Sequence, residues 1–442
     1  MKHVTLIVIA AALSATAANA QTLSLDEAVA LALEHNRTIA TAAIEIDKAE
    51  RSIADARSKR LPTFTVEAQA SQLLRPVDVV FSRGAFGTVP GIGPIPSEDA
   101  TIRTPSTLNF ILNAQAAQPL TPLFKINLNV KLTEASRELD REQLRDAELA
   151  IANNVRRVYF AIAQSRSAID ANGHTLALLE ELDRAVERRL VQQVALKGDA
   201  LSVQSKIAQA ELQRLSLEHS MASQKEQLNQ LLGRDLRTPF EVADLPATSI
   251  EQVSLETAQA RALEARPDVR QARVKLQQAE IARRMAKTDY LPEAQLAVSY
   301  LSPMTIEGAP HQIATAALQV KWEPFDWGRK SRALATRDLE IQQARNSVRD
   351  TEDRALLEIN SLFRRLERAR AEVRTARIGQ DSAREQARVR VAQYSTQAAL
   401  FSDVLQAESS LADLDSQYQQ ALASFWTARA DFERALGEDV MR

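Results

Sequence analysis

The chain has 442 residues, with 55 Lys and Arg against 57 Asp and Glu, and no cysteine. Charge this nearly balanced argues against a nucleic-acid partner, and the missing cysteines exclude both a disulfide framework and a lipidated cysteine anchor. Any membrane attachment must then come from the fold itself.

Lys2 and His3 precede an apolar run from Val4 to Ala18, and Ala18-Asn19-Ala20 stands just before Gln21. This is the layout of a cleavable secretory signal, so residues 1–20 are expected to be a signal peptide. The run is shorter than the roughly 20 apolar residues of a membrane-spanning helix. No later apolar run is long enough either, which leaves a soluble exported protein or a β-barrel.

The remaining chain reads as two copies of one pattern, 21–250 and 251–442. Leu25, Ala28, Ala32 and Leu33 recur in kind and spacing as Leu255, Ala258, Ala262 and Leu263, each set following a serine suited to N-capping, Ser24 or Ser254. Opening helices are expected over about Leu25 to Arg60 and Leu255 to Tyr290, stopped by Leu61-Pro62 and Leu291-Pro292 because proline cannot continue the hydrogen-bond ladder.

Alternation follows each stop. Phe64, Val66, Ala68 and Ala70 alternate with Thr65, Glu67, Gln69 and Ser71; Leu108, Phe110, Leu112, Ala114 and Ala116 form a second such row. In the second copy Leu296, Val298 and Tyr300, then Ala316, Leu318, Val320 and Trp322, do the same. Each copy therefore supplies a strand pair, joined by the Gly/Pro-rich stretches Arg75 to Pro105 and Ser302 to Pro310, expected as exposed loops. Such strands suit a barrel wall that is apolar outside and polar inside, or a half-buried sheet of a soluble domain. Trp322, Phe325 and Trp327 cluster where the last strand ends, as membrane-interface aromatics do and as core residues at a strand end also would.

From Asn129 to about Gln193, and from Gly328 to about Gln393, proline is absent and helix formers dominate. Ile341, Val348, Ala355, Leu362, Ala369, Ala376 and Ala383 recur every seven residues, with Ile359, Leu366 and Val373 as a second row, while Val155, Ile162, Ile169 and Leu176 repeat the step earlier. This is a coiled-coil seam. Returning helices are expected from about Asp199 to Leu232 and from about Phe401 to Leu436, each closed by a glycine, Gly233 or Gly437. A helix of about 65 residues is about 100 Å long at 1.5 Å per residue, so two short helices end to end match one long one. Four strands cannot close a barrel, for which about eight is the lower limit, so a channel demands several copies.

The doubled pattern, the paired Leu-Pro stops, Trp322-Glu323-Pro324-Phe325-Asp326-Trp327-Gly328 before a long helix, and Tyr394 followed by Asp403-Val404-Leu405-Gln406-Ala407-Glu408 resemble the TolC family of outer-membrane efflux proteins. The resemblance implies a mainly α fold with a β-barrel part: a homotrimer whose long antiparallel helices form a periplasmic α-barrel and whose strands build a 12-stranded transmembrane barrel. Barrel segments would be 62–122 and 292–324, and helical segments 23–60, 126–235, 254–290 and 328–437.

It also implies an outer-membrane channel subunit of a tripartite efflux or type I secretion system. Its partners would be a periplasmic adaptor, an inner-membrane pump and outer-membrane lipid, with no cofactor and no metal. Asp403 and Asp199 would lie at the periplasmic entrance with Tyr394 and Gln406; N-capping of the returning helices is the alternative role for the two aspartates. Gln406 stands where some members carry a second aspartate, and Ala399 where some carry a basic latch residue, which implies a gate less tightly held or less charged. The turn before Asp403 lacks the family's usual glycine, and in the first turn it is displaced to Gly198.

The histidines, at 3, 35, 174, 219 and 311, have no metal-ligand spacing, and no nucleophile or phosphate-loop motif occurs. An enzyme is therefore not expected. A soluble periplasmic coiled-coil scaffold or adaptor remains the alternative, and it leaves the alternating strands unexplained.

Overall fold

The computed structural model describes residues 21–72, 74–104, 108–193, 196–243, 254–303, 312–396 and 398–437; the expected signal segment 1–20 lies outside them. In chain order the first half gives β1 (Gln21–Leu23), α1 (Leu25–His35), α2 (Arg37–Ser58), β2 (Thr63–Gln72), β3 (Val77–Phe81), β4 (Thr88–Val89), β5 (Gly93–Pro94), β6 (Ala100–Thr104), β7 (Leu108–Pro119), α3 (Pro122–Val191) and α4 (Lys197–Leu231). Then come β8 (Phe240–Val242), α5 (Leu255–Ala265), α6 (Pro267–Thr288), β9 (Glu293–Pro303), β10 (Ile313–Lys321), α7 (Arg329–Ser395) and α8 (Phe401–Leu436). The described residues up to Asp47, with Glu138–Lys275 and those from Arg345 onward, form one compact unit; Lys48–Arg137 and Leu276–Ala344 form a second.

The second unit holds a four-stranded antiparallel sheet in the order β10-β9-β7-β2. Its register turns the expected alternation into two faces. Phe64 lies opposite Ala116, Ala116 opposite Val298, and Val298 opposite Ala316, an apolar rung across all four strands. One residue along, Thr65, Gln115, Ser299 and Thr315 make a polar rung. On the polar face Ser299 and Thr315 hydroxyls lie 2.7 Å apart, and Gln295 Nε2 donates to Gln319 Oε1 at 2.7 Å. The apolar face is uncovered within the chain: Phe64 is 77% exposed, Val66 72% and Leu318 64%.

The connection Arg75 to Pro105, expected as a loop, is partly ordered into strands. β3 pairs with β6, β4 pairs with β5, and Arg103 donates to both Asp78 carboxylate oxygens, at 2.8 and 3.0 Å. These strands are two to five residues long and punctuated by Gly and Pro, too short for a period-two signal. In the other connection Ser302 and Pro303 still belong to β9, and 304–311 lie outside the described residues.

The opening helices also differ from expectation, since each is broken once. Arg266 is extended because the following Pro267 disfavours a helical residue before it and itself starts α6. Asn36 breaks the first: its side-chain oxygen accepts from Thr38 N–H at 2.8 Å while its amide donates to the Leu231 carbonyl at 2.8 Å. A buried Asn thus starts α2 and satisfies the end of α4 together. Both expected serine caps form, Ser24 Oγ accepting from Glu27 N–H and Ser254 Oγ from Thr257 N–H.

The first unit is a helical bundle. The seven-residue seam of α7 is buried at Ala355, Ile359, Leu366, Ala369 and Ala383, and in α3 Val155 and Ile162 are fully buried. Burying each such aliphatic side chain contributes about 1.5–3 kcal/mol, and the alanines permit close helix approach. At 1.5 Å per residue, α3 with 70 residues and α7 with 67 are each on the order of 100 Å long, and α4 and α8, with 35 and 36, about half that.

Two short segments absent from the sequence reading, β1 and β8, pair in parallel within this unit. Tyr159, 1% exposed, fastens them: its hydroxyl donates to Leu23 O at 2.8 Å and accepts from Ala243 N–H at 2.9 Å. Around it Phe160, Phe425 and Trp426 stack in one aromatic core.

Candidate functional site

The site residues of the helical part fall at the turns of two helical hairpins, α3–α4 and α7–α8, both within the first unit. Their turns are built alike. Asp199 accepts from Leu196 N–H at 3.2 Å, and Asp403 from Leu400 N–H at 3.1 Å. The reciprocal bonds from their own N–H groups run back to the Leu196 and Leu400 carbonyls at 3.0 and 3.1 Å. Both aspartates therefore sit at the third helical position and hold the turn from inside, where a carboxylate also meets the positive helix end. The N-capping position itself belongs to Leu196 and Leu400, which correct the alternative that the aspartates occupy it.

The residues that follow the aspartates bring the two hairpins together. Ala200 and Val404 are buried with Leu182, Val186 and Val203, and half-buried Tyr394, Leu405 and Leu190 pack around them. Asp403 is half-buried and Asp199 exposed, while Gln406, two positions past Val404, is exposed. Of the four expected entrance positions, Tyr394 packs in this apolar knot, Asp199 and Asp403 directly precede its buried residues Ala200 and Val404, and Gln406 lies on its outside. In the first turn, whose glycine is displaced, Gln193 takes the left-handed conformation, φ 58, just after α3. Gly198 lies inside α4 with ordinary φ and open space around it. Leu196 and Leu400 remain 74% and 71% exposed at the tips.

One turn and more beyond Asp403, α3, α7 and α8 enclose a groove of about 270 Å³ lined by His174, Gln380, Arg384, Glu408 and Asp415. Gln380 Nε2 donates to Asp415 at 2.7 Å, with Arg384 at 3.8 Å from the same carboxylate. Burial pushes the Glu408 carboxyl above its ordinary pKa. Among the described residues no group of three or more His, Cys, Asp or Glu could hold a metal ion.

The expected interface aromatics lie in the second unit, just past β10. Trp322, Phe325 and Trp327 are 61%, 68% and 81% exposed, and Phe325 and Trp327 stack edge to face at 4.8 Å. None of the three is buried within the described chain. Trp327 is held in the left-handed region, φ 56, because Asp326 starts α7 by accepting from Gly328 N–H at 3.1 Å and Lys330 N–H at 2.8 Å. Those backbone bonds, that to Lys330 first, hold the Asp326 carboxyl below its ordinary pKa. Among the described residues no helix is long and apolar enough to cross a membrane.

The described chain thus has long paired helices and a four-stranded sheet with one apolar face, one polar face and two open edges. The model of the outer membrane efflux protein family matches residues 28–234 of the chain. Solved structures share the fold across nearly the whole chain. The outer-membrane channel OprN superposes with a TM-score of 0.77 at 18% identity, covering 94% of this chain and 90% of that one. The outer membrane protein VceC of Vibrio cholerae gives 0.74 at 17%, covering 93% and 96%, and the open state of the Neisseria gonorrhoeae MtrE outer membrane channel 0.72 at 18%, covering 93% and 88%. An uncharacterized Haemophilus influenzae protein is 22% identical over 314 residues, 69% of this chain; the match spans 64% of that relative's length.

Proposed function

We propose that this chain is an outer-membrane channel subunit, the passive exit duct of a tripartite efflux or secretion system. The observation that carries the reading is the sheet. Its edge strands β10 and β2 run in opposite directions, so β2 of one copy can pair antiparallel with β10 of the next and the alternation continues without a break. Closure removes both open edges, turns the apolar rungs toward lipid and encloses the polar rungs around water.

Three copies, as the family resemblance implies, give 12 strands, and the exposed Trp322, Phe325 and Trp327 then meet the membrane interface. The long helices form the periplasmic continuation, and the two sequence copies are a duplicated unit that supplies both hairpins. Asp403 and Asp199, repeated around a symmetric entrance with Tyr394 and Gln406, make rings of carboxylates that attract cations. A periplasmic adaptor and an inner-membrane pump would deliver the substrate. A soluble scaffold has no use for a sheet whose uncovered face carries Phe64, Val66 and Leu318.

The test is single-channel conductance of the purified oligomer in planar bilayers, with its mass measured in detergent. A conducting trimer supports the reading. A chain that stays monomeric, does not conduct and leaves the outer membrane in a high-salt wash overturns it in favour of the scaffold.

A further inference from the structure

The hairpin β3–β6, carried on the connection between β2 and β7, is a separate two-stranded sheet with unlike faces. One face presents the pair Asp78 and Arg103 with Val80; the other presents Val77, Val79 and Ile102 and no charge. On that second face Val77 is 51% exposed, Val79 42% and Ile102 59%. Beyond it, Gly84 to Pro96 contains no charged residue, and Phe86 and Ile92 are 66% and 75% exposed. The segment is nonetheless closed on itself: Gly84 N–H donates to Pro96 O and Phe86 N–H to Ile95 O, each at 2.9 Å, and Phe81 packs on Phe86 at 5.1 Å. A two-stranded ribbon is marginal in water and needs a cover on its apolar face.

We infer that the Val77/Val79/Ile102 face is covered by a second copy of this chain, making the hairpin an inter-subunit clasp next to the barrel seam. The inference rests on the barrel reading above. Two observations select the copy as occupant. The hairpin leaves the sheet from β2, whose outer edge is the seam where β10 of the neighbouring copy joins, and only residues 73–76 separate β2 from β3. The hairpin's neighbour across that edge is therefore another subunit. Against a lipid surface, the segment's charges cancel: Arg75, Arg83 and Arg103 face Asp78, Glu98 and Asp99, three against three, and Arg103 is already bound to Asp78. No cationic excess is left for anionic headgroups.

Two positions on opposite faces of one strand provide the experiment. A photo-crosslinking benzoyl-phenylalanine is placed at Val79 or at Val80 in the full chain, and the native oligomer is first confirmed by mass. Irradiation is expected to yield a covalent dimer from the Val79 variant and little or none from Val80. Val79→Asp is expected to lower the temperature at which the oligomer dissociates, with Val80→Asp leaving it unchanged. An intact oligomer in which Val79 gives only monomer, or only a lipid adduct, overturns the clasp while leaving the barrel standing. Absence of an oligomer overturns the barrel reading and the clasp with it.

Discussion

Gly233 ends α4 hard against the end of α1: a Cβ on Gly233 would lie 2.2 Å from the His35 carbonyl oxygen. Gly437 ends α8 in the same way, with a Cβ position 2.9 Å from Ala265 C and Arg266 N at the end of α5. Both glycines have positive φ, 69 and 70. The C-caps of the returning helices therefore rest on the breaks in the opening helices, and each cap needs glycine for its backbone conformation and for its lack of a side chain.

Gly233→Ala combines a left-handed alanine with displacement of a backbone carbonyl, and should cost roughly 2–4 kcal/mol. Gly198→Ala, in open space within α4, should be neutral or stabilise by up to about 0.5–1 kcal/mol. Thermal unfolding followed by far-UV circular dichroism separates them; equal melting temperatures for the two variants would refute the close packing at His35.

Tyr159→Phe removes the hydroxyl that joins β1 to the residue after β8. Ala243 N–H keeps a second bond, to Leu23 O at 3.2 Å, so the loss should be about 1–2 kcal/mol and not the whole cost of an orphaned pair. Burial raises the phenol above its ordinary pKa, which keeps it protonated as a donor throughout the neutral range. Hydrogen exchange at the Ala243 amide should speed up in the variant while that of the α7 seam changes little. Uniform acceleration along the chain would show that Tyr159 acts on the whole bundle instead.

Much of this fold is legible in sequence because long repeated patterns average out local noise. The seven-residue row from Ile341 and the period-two rows from Phe64 and Leu296 each repeat often enough to declare themselves. What escaped is local and brief. Asn36 breaks its helix through one side-chain bond and looks like any helix-tolerated polar residue, although Arg266-Pro267 carried a readable break signal. β1 and β8, three residues each, have no period at all. At the candidate entrance, the sequence singled out Asp199, Asp403 and Tyr394, but the packing of Tyr394 with Val203 and Val404 beside the two turns depends on which hairpin faces which, a tertiary fact.

Glu408 borders the groove between α3, α7 and α8, and burial raises its carboxyl pKa. A carboxyl whose folded pKa lies above its unfolded value favours folding when protonated. Its charge is therefore a penalty that grows as pH rises from the unfolded value through the folded one and is complete above both. Glu408→Gln should raise the melting temperature at neutral pH, with the gain shrinking to nothing below about pH 4, the ordinary glutamate range. A gain that persists at acid pH would point to packing in place of charge.

Asp403 combines a measurable structural bond with the proposed carboxylate ring, and two substitutions divide them. Asparagine keeps an oxygen able to accept from Leu400 N–H, so Asp403→Asn should leave the start of α8 intact while removing one negative charge per subunit. Asp403→Ala removes the charge and the bond together, and should add a loss of about 0.5–1 kcal/mol at that helix end. If three Asp403 carboxylates ring the entrance, both variants weaken block of the conductance by divalent cations, and to a similar extent. If Asp403 serves only the turn, Asp403→Asn keeps the parent's cation block and Asp403→Ala alone departs from it, through a loosened hairpin. Cation titrations of single-channel current on the three proteins, run beside their melting curves, distinguish the two because the charge effect and the stability effect separate in the asparagine variant.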